Sequence, residues 1–191
     1  MRIKGMNIAN KLTLLRVILV FVFMFVIWAP LGLDIEVVLW IALALFILAS
    51  YTDYLDGHLA RKYNLVTNLG KFMDPLADKM LVTAAMIAIV DYAPVLPAGV
   101  LPAWIVVLIL LREFAISGIR LIAASNHVVI AANQLGKVKT VIQMSMIVVY
   151  LIPVVHPVIQ TAAIILAYLA LILTLISGVQ YIWQNREVLK Q

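Results

Sequence analysis

The stretch Ile35-Glu36-Val-Val-Leu-Trp40-Ile-Ala-Leu-Ala-Leu-Phe-Ile-Leu-Ala-Ser50-Tyr-Thr-Asp53-Tyr-Leu-Asp56-Gly57 has no charge between Glu36 and Asp53 and then two carboxylates three residues apart. A helix needs about 20 apolar residues to cross a bilayer, and irregular backbone cannot face lipid. The run therefore reads as a membrane span with acids at one end. Working outward, five more segments of that scale appear, giving predicted helices at roughly 10–30, 34–58, 74–93, 101–123, 134–153 and 158–183. The whole chain agrees with them, being 65% apolar with a mean hydropathy of +1.12 over 191 residues, far outside soluble composition. The expectation is an all-α integral membrane protein of six transmembrane helices forming a single domain over 1–191.

Pro30-Leu31-Gly32, the stretch 91–102 and the stretch 153–157 punctuate one side of this arrangement. The amino terminus, the connections 57–73 and 123–133 and the carboxyl tail lie on the other. All 14 Lys and Arg residues fall on that second side or at helix ends approaching it, while Asp34, Glu36 and Asp91 mark the first. The positive-inside rule then places both termini and the long polar connections in the cytoplasm. Lys and Arg outnumber Asp and Glu by 14 to 9, but no basic stripe with interleaved aromatics lies outside the apolar segments, so nucleic acid is not an expected partner. Anionic lipid is. The absence of cysteine excludes disulfides, thiolate metal sites and Cys nucleophiles. Basic residues before the first apolar run resemble a secretory signal, yet no small-residue cleavage pattern follows, and 17–29 reads as a retained span.

Four of the nine acids lie within the segment 53–78. Asp53 and Asp56 are i, i+3, and Asp74 and Asp78 are i, i+4, so each pair projects from one face of its helix. A short connection between antiparallel spans two and three would make the four carboxylates converge. From Asp78 to Ala93 is about 22 Å of helix, less than the roughly 30 Å hydrocarbon thickness, which sinks Asp78 below the membrane surface. Packed carboxylates at that depth repel one another and are costly to desolvate without cations. Hard oxygen ligands suit Mg2+ or Mn2+, and four carboxylates suffice for a two-metal centre of the kind used for displacement at phosphorus. A proton or cation relay, or acids paired with Arg61, Lys62, Lys71 and Lys79, would explain the same spacing. Gly57 and Gly70 permit close approach of a phosphate to the backbone, and Asp74 before Pro75 reads as the cap and first turn of span three.

The pattern Asp53-x2-Asp56-Gly57-x2-Ala60-Arg61-x8-Gly70-x3-Asp74-x3-Asp78 resembles, without departure, the signature of the CDP-alcohol phosphotransferase family. The resemblance covers the whole chain and implies that family's six-helix fold. It implies that Asp53, Asp56 and Asp74 ligate a divalent pair. Asp78 would touch metal and act as general base toward the acceptor hydroxyl. Gly57, Arg61, Thr67 and Gly70 would contact the CDP moiety, and Asn10-Lys11-Leu12-Thr13, within 10–16, resembles the amino-terminal donor-binding element. The alternative for that element is a helix cap whose Lys11 and Arg16 reach up to the membrane surface. Homodimerisation is implied by the resemblance alone.

Arg112 and Glu113 lie about 17–18 Å into span four, where a buried arginine needs a partner. Glu113 is a candidate, although neighbours on a helix do not face each other. Arg120, Lys137 and Lys139 would complete a cationic pocket opening on the aspartates, with Arg suited to bidentate phosphate recognition. Taken one at a time, each of the last three reads equally well as a positive-inside residue near headgroups. The segments Arg112-Glu-Phe-Ala-Ile-Ser-Gly-Ile-Arg120 and Gly136-Lys137-Val-Lys139-Thr140 are similar to the phosphatidylglycerophosphate-forming branch of the family. That similarity implies CDP-diacylglycerol as donor, sn-glycerol 3-phosphate as acceptor, and a bacterial inner membrane enzyme with its active site toward the cytoplasm. A cardiolipin-forming enzyme or another CDP-alcohol phosphotransferase with a different acceptor, a cation- or proton-coupled transporter and a scaffold are the rivals. His58, His127 and His156 read as surface residues, and Trp28, Trp40, Trp104 and Trp183 as interfacial anchors.

Overall fold

The computed structural model describes residues 8–29, 31–62, 68–125 and 134–186, with the side chains of 8–12, 54–62, 68–76, 78, 124 and 125 left out of the description. Among the described residues all regular structure is helical: α1 (Ile8–Trp28), α2 (Ile35–Lys62), α3 (Asn68–Asp91), α4 (Ala103–Ser125), α5 (Gln134–Leu151) and α6 (Pro157–Gln184). Two compact units are present, Met1–Ala88 with Leu151–Pro153 and Ile89–Tyr150 with Val154–Gln191.

In the first unit α1 and α2 pack along their lengths. Thr13, Arg16, Leu19, Val20, Phe23 and Ile27 form the buried stripe of α1, and Val38, Leu39, Ala42, Phe46, Ala49 and Thr52 lie in that of α2. Steps of three and four residues keep each stripe on one helix face. The opposite faces are equally apolar, with Phe21, Phe25, Ile47 and Leu48 exposed. In water such faces would drive aggregation; in lipid they are the solvated surface.

The second unit shows the same inversion more clearly. The interior face of α6 is Ala163, Ala167, Ala170, Leu171, Thr174, Ser177, Gly178 and Tyr181, while Ile164, Ile165, Ile172, Ile176 and Val179 point outward. Lipid tails are as apolar as leucine, so helices associate through close packing, and small residues inside permit it. Ile35–Asp53 and Pro157–Gln184 are each long and apolar enough to cross a membrane, and Thr13–Trp28 is a shorter apolar helix. Hydroxyls in these surroundings bond their own backbone: Ser50 Oγ donates to the Phe46 carbonyl at 2.7 Å, Thr52 Oγ1 to Ala49 at 2.7 Å and Ser117 Oγ to Glu113 at 2.7 Å. Each of these three hydroxyls is thereby satisfied without a partner from outside its own helix.

Turn residues fall where the punctuation predicts them. Gly32 (φ +66°) follows α1 and Gly99 (φ +91°) precedes α4, both in the left-handed region that favours glycine. The exposed His156 caps α6, its Nδ1 accepting from the Val158 N–H at 3.2 Å, and Pro157 occupies the first helical position. This agrees with the surface reading of His156; the His58 side chain and His127 lie outside the described residues.

The acid-bearing ends differ from expectation. α2 runs to Lys62 and α3 starts at Asn68, so the expected connection 57–73 is mostly helical. Pro75 is the eighth residue of α3 rather than a first-turn residue, and Asp74 is therefore inside the helix and does not cap it. The polar composition that marked a loop marks instead a stretch where helices continue. Helical backbone needs no apolar side chains, only a path for its own hydrogen bonds.

Candidate active site

Asp53 and Asp56 lie on one continuous helix and Asp74 and Asp78 on another, at the spacings that put each pair on one face. Of the four, Asp53 alone has a described side chain; those of Asp56, Asp74 and Asp78 lie outside the description, as do those of Asn10, Lys11, Leu12, Arg61 and the whole of Thr67. Gly57 and Gly70 are helical, in α2 and α3. Thr13 is buried in the α1 stripe.

Asp53 is held by Arg16. The guanidinium Nη1 is 2.6 Å from Asp53 Oδ1, and the Arg16 side chain is 0% exposed while that of Asp53 is 41% exposed. Arg16 thus turns inward, away from the membrane surface to which a long basic side chain at this position would otherwise extend. A charge buried to this degree is tolerated only when paired. Asp53 is paired on one side and open on the other, and a hard carboxylate oxygen with an open face suits a divalent cation.

In the second unit α6 supplies the partners of the basic groups on α4. Arg112 donates from Nη2 to Ser177 Oγ at 2.9 Å, and Arg120 donates from Nε to the Tyr181 hydroxyl at 3.2 Å. The Arg120 guanidinium also lies 5.5 Å from the centroid of the Tyr181 ring, within cation–π range. Arg112 and Arg120 are eight residues and about 12 Å apart along α4, and Ser177 and Tyr181 are one turn apart on α6. Ile116 and Ile119 pack with Tyr181 between the two polar contacts. Arg112 Nε is buried and has no hydrogen-bond partner among the described residues. An unmatched buried donor costs about 1–3 kcal/mol, and more on a charged group; a ligand oxygen would remove that cost.

Glu113 is not the partner of Arg112. It forms an ion pair with Lys139 of α5, whose residue is 4% exposed. Two residues in succession on a helix point about 100° apart, so Arg112 faces α6 and Glu113 faces Lys139. Lys137 is exposed, two residues along α5. Of the four predicted acceptor residues, Arg112 and Arg120 are thus brought to one helix partner, Lys139 is neutralised by Glu113, and Lys137 remains open to its surroundings.

Sequence reasoning missed Ser177, Gly178 and Tyr181. Their only signal is a polar and small cluster inside an otherwise apolar span. Gly178 is required by contact: a Cβ there would lie 2.9 Å from Arg112 Cγ and 3.2 Å from its Nε. Gly178→Ala is expected to displace the Arg112 side chain, and misplacement of about 1 Å at a catalytic contact costs up to about 100-fold in rate. A steady-state comparison with the wild type, varying each substrate, checks this; unchanged kinetics would mean that Arg112 shifts without consequence.

Among the described residues all regular structure is helical, two helices are long and apolar enough to cross a membrane, and an ion-paired carboxylate lies in one unit and two guanidinium groups tethered to α6 in the other. Comparison places the chain more closely. The family model for CDP-alcohol phosphatidyltransferase matches residues 6–176, and the chain belongs to that family, members of which use divalent metal ions. It is 42% identical over 198 aligned residues to the CDP-diacylglycerol–glycerol-3-phosphate 3-phosphatidyltransferase of Bacillus subtilis, covering 96% of this chain and 97% of that one. A probable phosphatidylglycerophosphate synthase of Mycobacterium tuberculosis is 39% identical over 178 residues, with coverages of 92% and 80%. A Rickettsia bellii protein bearing the same name as the Bacillus one is 41% identical over 140 residues, with coverages of 72% and 71%.

Proposed function

We propose that this chain transfers the phosphatidyl group of CDP-diacylglycerol to the 1-hydroxyl of sn-glycerol 3-phosphate, giving phosphatidylglycerophosphate and CMP. Family membership supports the reaction class. The acceptor is supported by one observation above the others: Arg112, tied at Nη2 to Ser177, keeps a buried Nε donor without a partner among the described residues. A planar guanidinium with donors to spare suits a phosphate monoester.

In this reading the acceptor phosphate is bound by Arg112, Arg120 and Lys137, with Lys139 held in place by Glu113. Asn10, Lys11, Leu12, Thr13, Gly57, Arg61, Thr67 and Gly70 bind the donor. Asp53, Asp56, Asp74 and Asp78 hold two divalent cations, Mg2+ or Mn2+, for which the open carboxylate of Asp53 is a fitting donor. Such a pair, when bound, neutralises the charge of the donor pyrophosphate. Asp78 takes the proton of the acceptor hydroxyl; the oxygen attacks the phosphorus of the phosphatidyl group, and the bond to CMP breaks. Holding the two substrates in line supplies most of the rate enhancement. The chain is further proposed to be one domain over 1–191, to span a bacterial inner membrane six times with both termini and the site toward the cytoplasm, and to form a homodimer.

CMP release from CDP-diacylglycerol is the test, run with glycerol 3-phosphate, serine, inositol phosphate or phosphatidylglycerol as acceptor. Release with glycerol 3-phosphate alone is expected. Release with phosphatidylglycerol alone would make the chain a cardiolipin-forming enzyme, and ion flux in vesicles without CMP release a transporter. Chelation of divalent ions is expected to abolish release and their return to restore it; activity under rigorously metal-free conditions would overturn the role given to the four acids.

A further inference from the structure

Arg16 is the largest completely buried side chain in the described part of the molecule, and packing alone does not call for a charged residue there. An apolar side chain at this position of α1 would pack without the penalty of desolvating a guanidinium, and replacing a buried ion pair by apolar groups is often neutral or stabilising. Arg16 is instead carried under the surface and set 2.6 Å from Asp53. Its neighbours on the α1 stripe, Thr13, Leu19 and Val20, are buried with it, so the guanidinium is enclosed by packing. Asp53 is the exposed member. A carboxylate 41% exposed at the end of the apolar stretch of α2 has several rotamers open to it, and a contact at Oδ1 selects one.

We infer that Arg16 is a positioning residue for divalent-metal binding: by holding Oδ1 of Asp53 it presents Oδ2 to the cation in one fixed orientation. The inference rests on the proposed role of Asp53 as a metal ligand. Outer partners of ligating carboxylates typically contribute 10- to 100-fold in metal affinity. Repulsion between the guanidinium and the cation acts in the opposite sense, so the sign of the effect is itself diagnostic.

The experiment is a double-mutant cycle on Mn2+ affinity, read by electron paramagnetic resonance of free Mn2+ with the full-length protein in detergent. The four forms are wild type, Arg16→Gln, Asp53→Asn and the double variant. Arg16→Gln is expected to weaken Mn2+ binding about 10-fold or more in the wild-type background and to have no effect in the Asp53→Asn background, because an orienting contact has nothing left to orient. Equal losses in both backgrounds would make Arg16 a structural residue, and tighter binding in Arg16→Gln would make it a competing charge; either overturns the inference. Should Arg16→Gln not fold, Arg16→Lys carries the test, with a smaller loss expected in the wild-type background alone. Absence of Mn2+ binding in the wild type, or wild-type affinity in Asp53→Asn, would strike at the metal-ligand reading of Asp53 and is separable from a failure at Arg16.

Discussion

Arg112→Gln is expected to lower kcat/KM for glycerol 3-phosphate by about 10- to 150-fold, because a hydrogen bond to a charged group is worth about 1.5–3 kcal/mol. The loss is expected mainly as a raised acceptor KM, with the KM for CDP-diacylglycerol within about two-fold of wild type. The packing of α4 on α6 sets the surroundings of Arg112. Ser177 Oγ takes one end of the guanidinium, Gly178 leaves room for its stem, and the Nε donor is left without a partner among the described residues. Gln is two bonds shorter than the Nη2 that reaches Ser177 and has neither the charge nor the planar fork. Arg112→Lys restores charge without the fork and is expected to fall between wild type and Gln. Steady-state kinetics with each substrate varied decides the matter. A raised donor KM with the acceptor KM unchanged would move Arg112 to the donor side.

The positions of the helices were legible because length and apolarity are the two quantities a bilayer selects for. The predicted span 158–183 lies within Pro157–Gln184, and 101–123 within two residues of Ala103–Ser125. Legibility failed at 57–73, where polarity was read as a loop. In a soluble protein that inference is often sound, since helices follow their apolar stripe. Apolarity marks where lipid is expected, whereas helix continuity depends on backbone hydrogen bonds that persist into polar sequence. Residues such as Gly57 and Pro75, which weaken a helix in isolation, do not end these.

That Asp53 and Asp56 share one helix, and Asp74 and Asp78 another, was legible for a different reason: i, i+3 and i, i+4 spacing is a local pattern. The partners of the basic groups were not local. Glu113 stood next to Arg112 in sequence, yet it pairs with Lys139, 26 residues on. Arg112 and Arg120 find partners 65 and 61 residues away. Nothing in the pattern of α6 distinguishes Ser177 and Tyr181 as their acceptors until α4 is packed against it. Arg16 illustrates the same limit, since its depth is fixed by the packing of α1 on α2.

Asp78→Asn is expected to lower kcat by about 100- to 10,000-fold, the usual worth of a positioned general base, while CDP-diacylglycerol binds nearly as tightly as to the wild type. Asn keeps the size of Asp and one oxygen for a cation, but it cannot accept the acceptor's proton. Asp53→Asn makes the contrast. It removes the charge from a carboxylate assigned to ligation alone and leaves Arg16 buried without its anion, so metal affinity, donor binding and fold stability are all expected to fall, the last by about 3–5 kcal/mol as for other broken buried pairs, discounted for the 41% exposure of the Asp53 side chain. The two variants therefore separate ligand from base through a pair of measurements: donor binding at equilibrium in the presence of Mg2+, and CMP release. Wild-type turnover in Asp78→Asn would remove it as the base. Loss of donor binding equal to that of Asp53→Asn would make Asp78 a ligand first, and the proton would then have to leave by another acceptor.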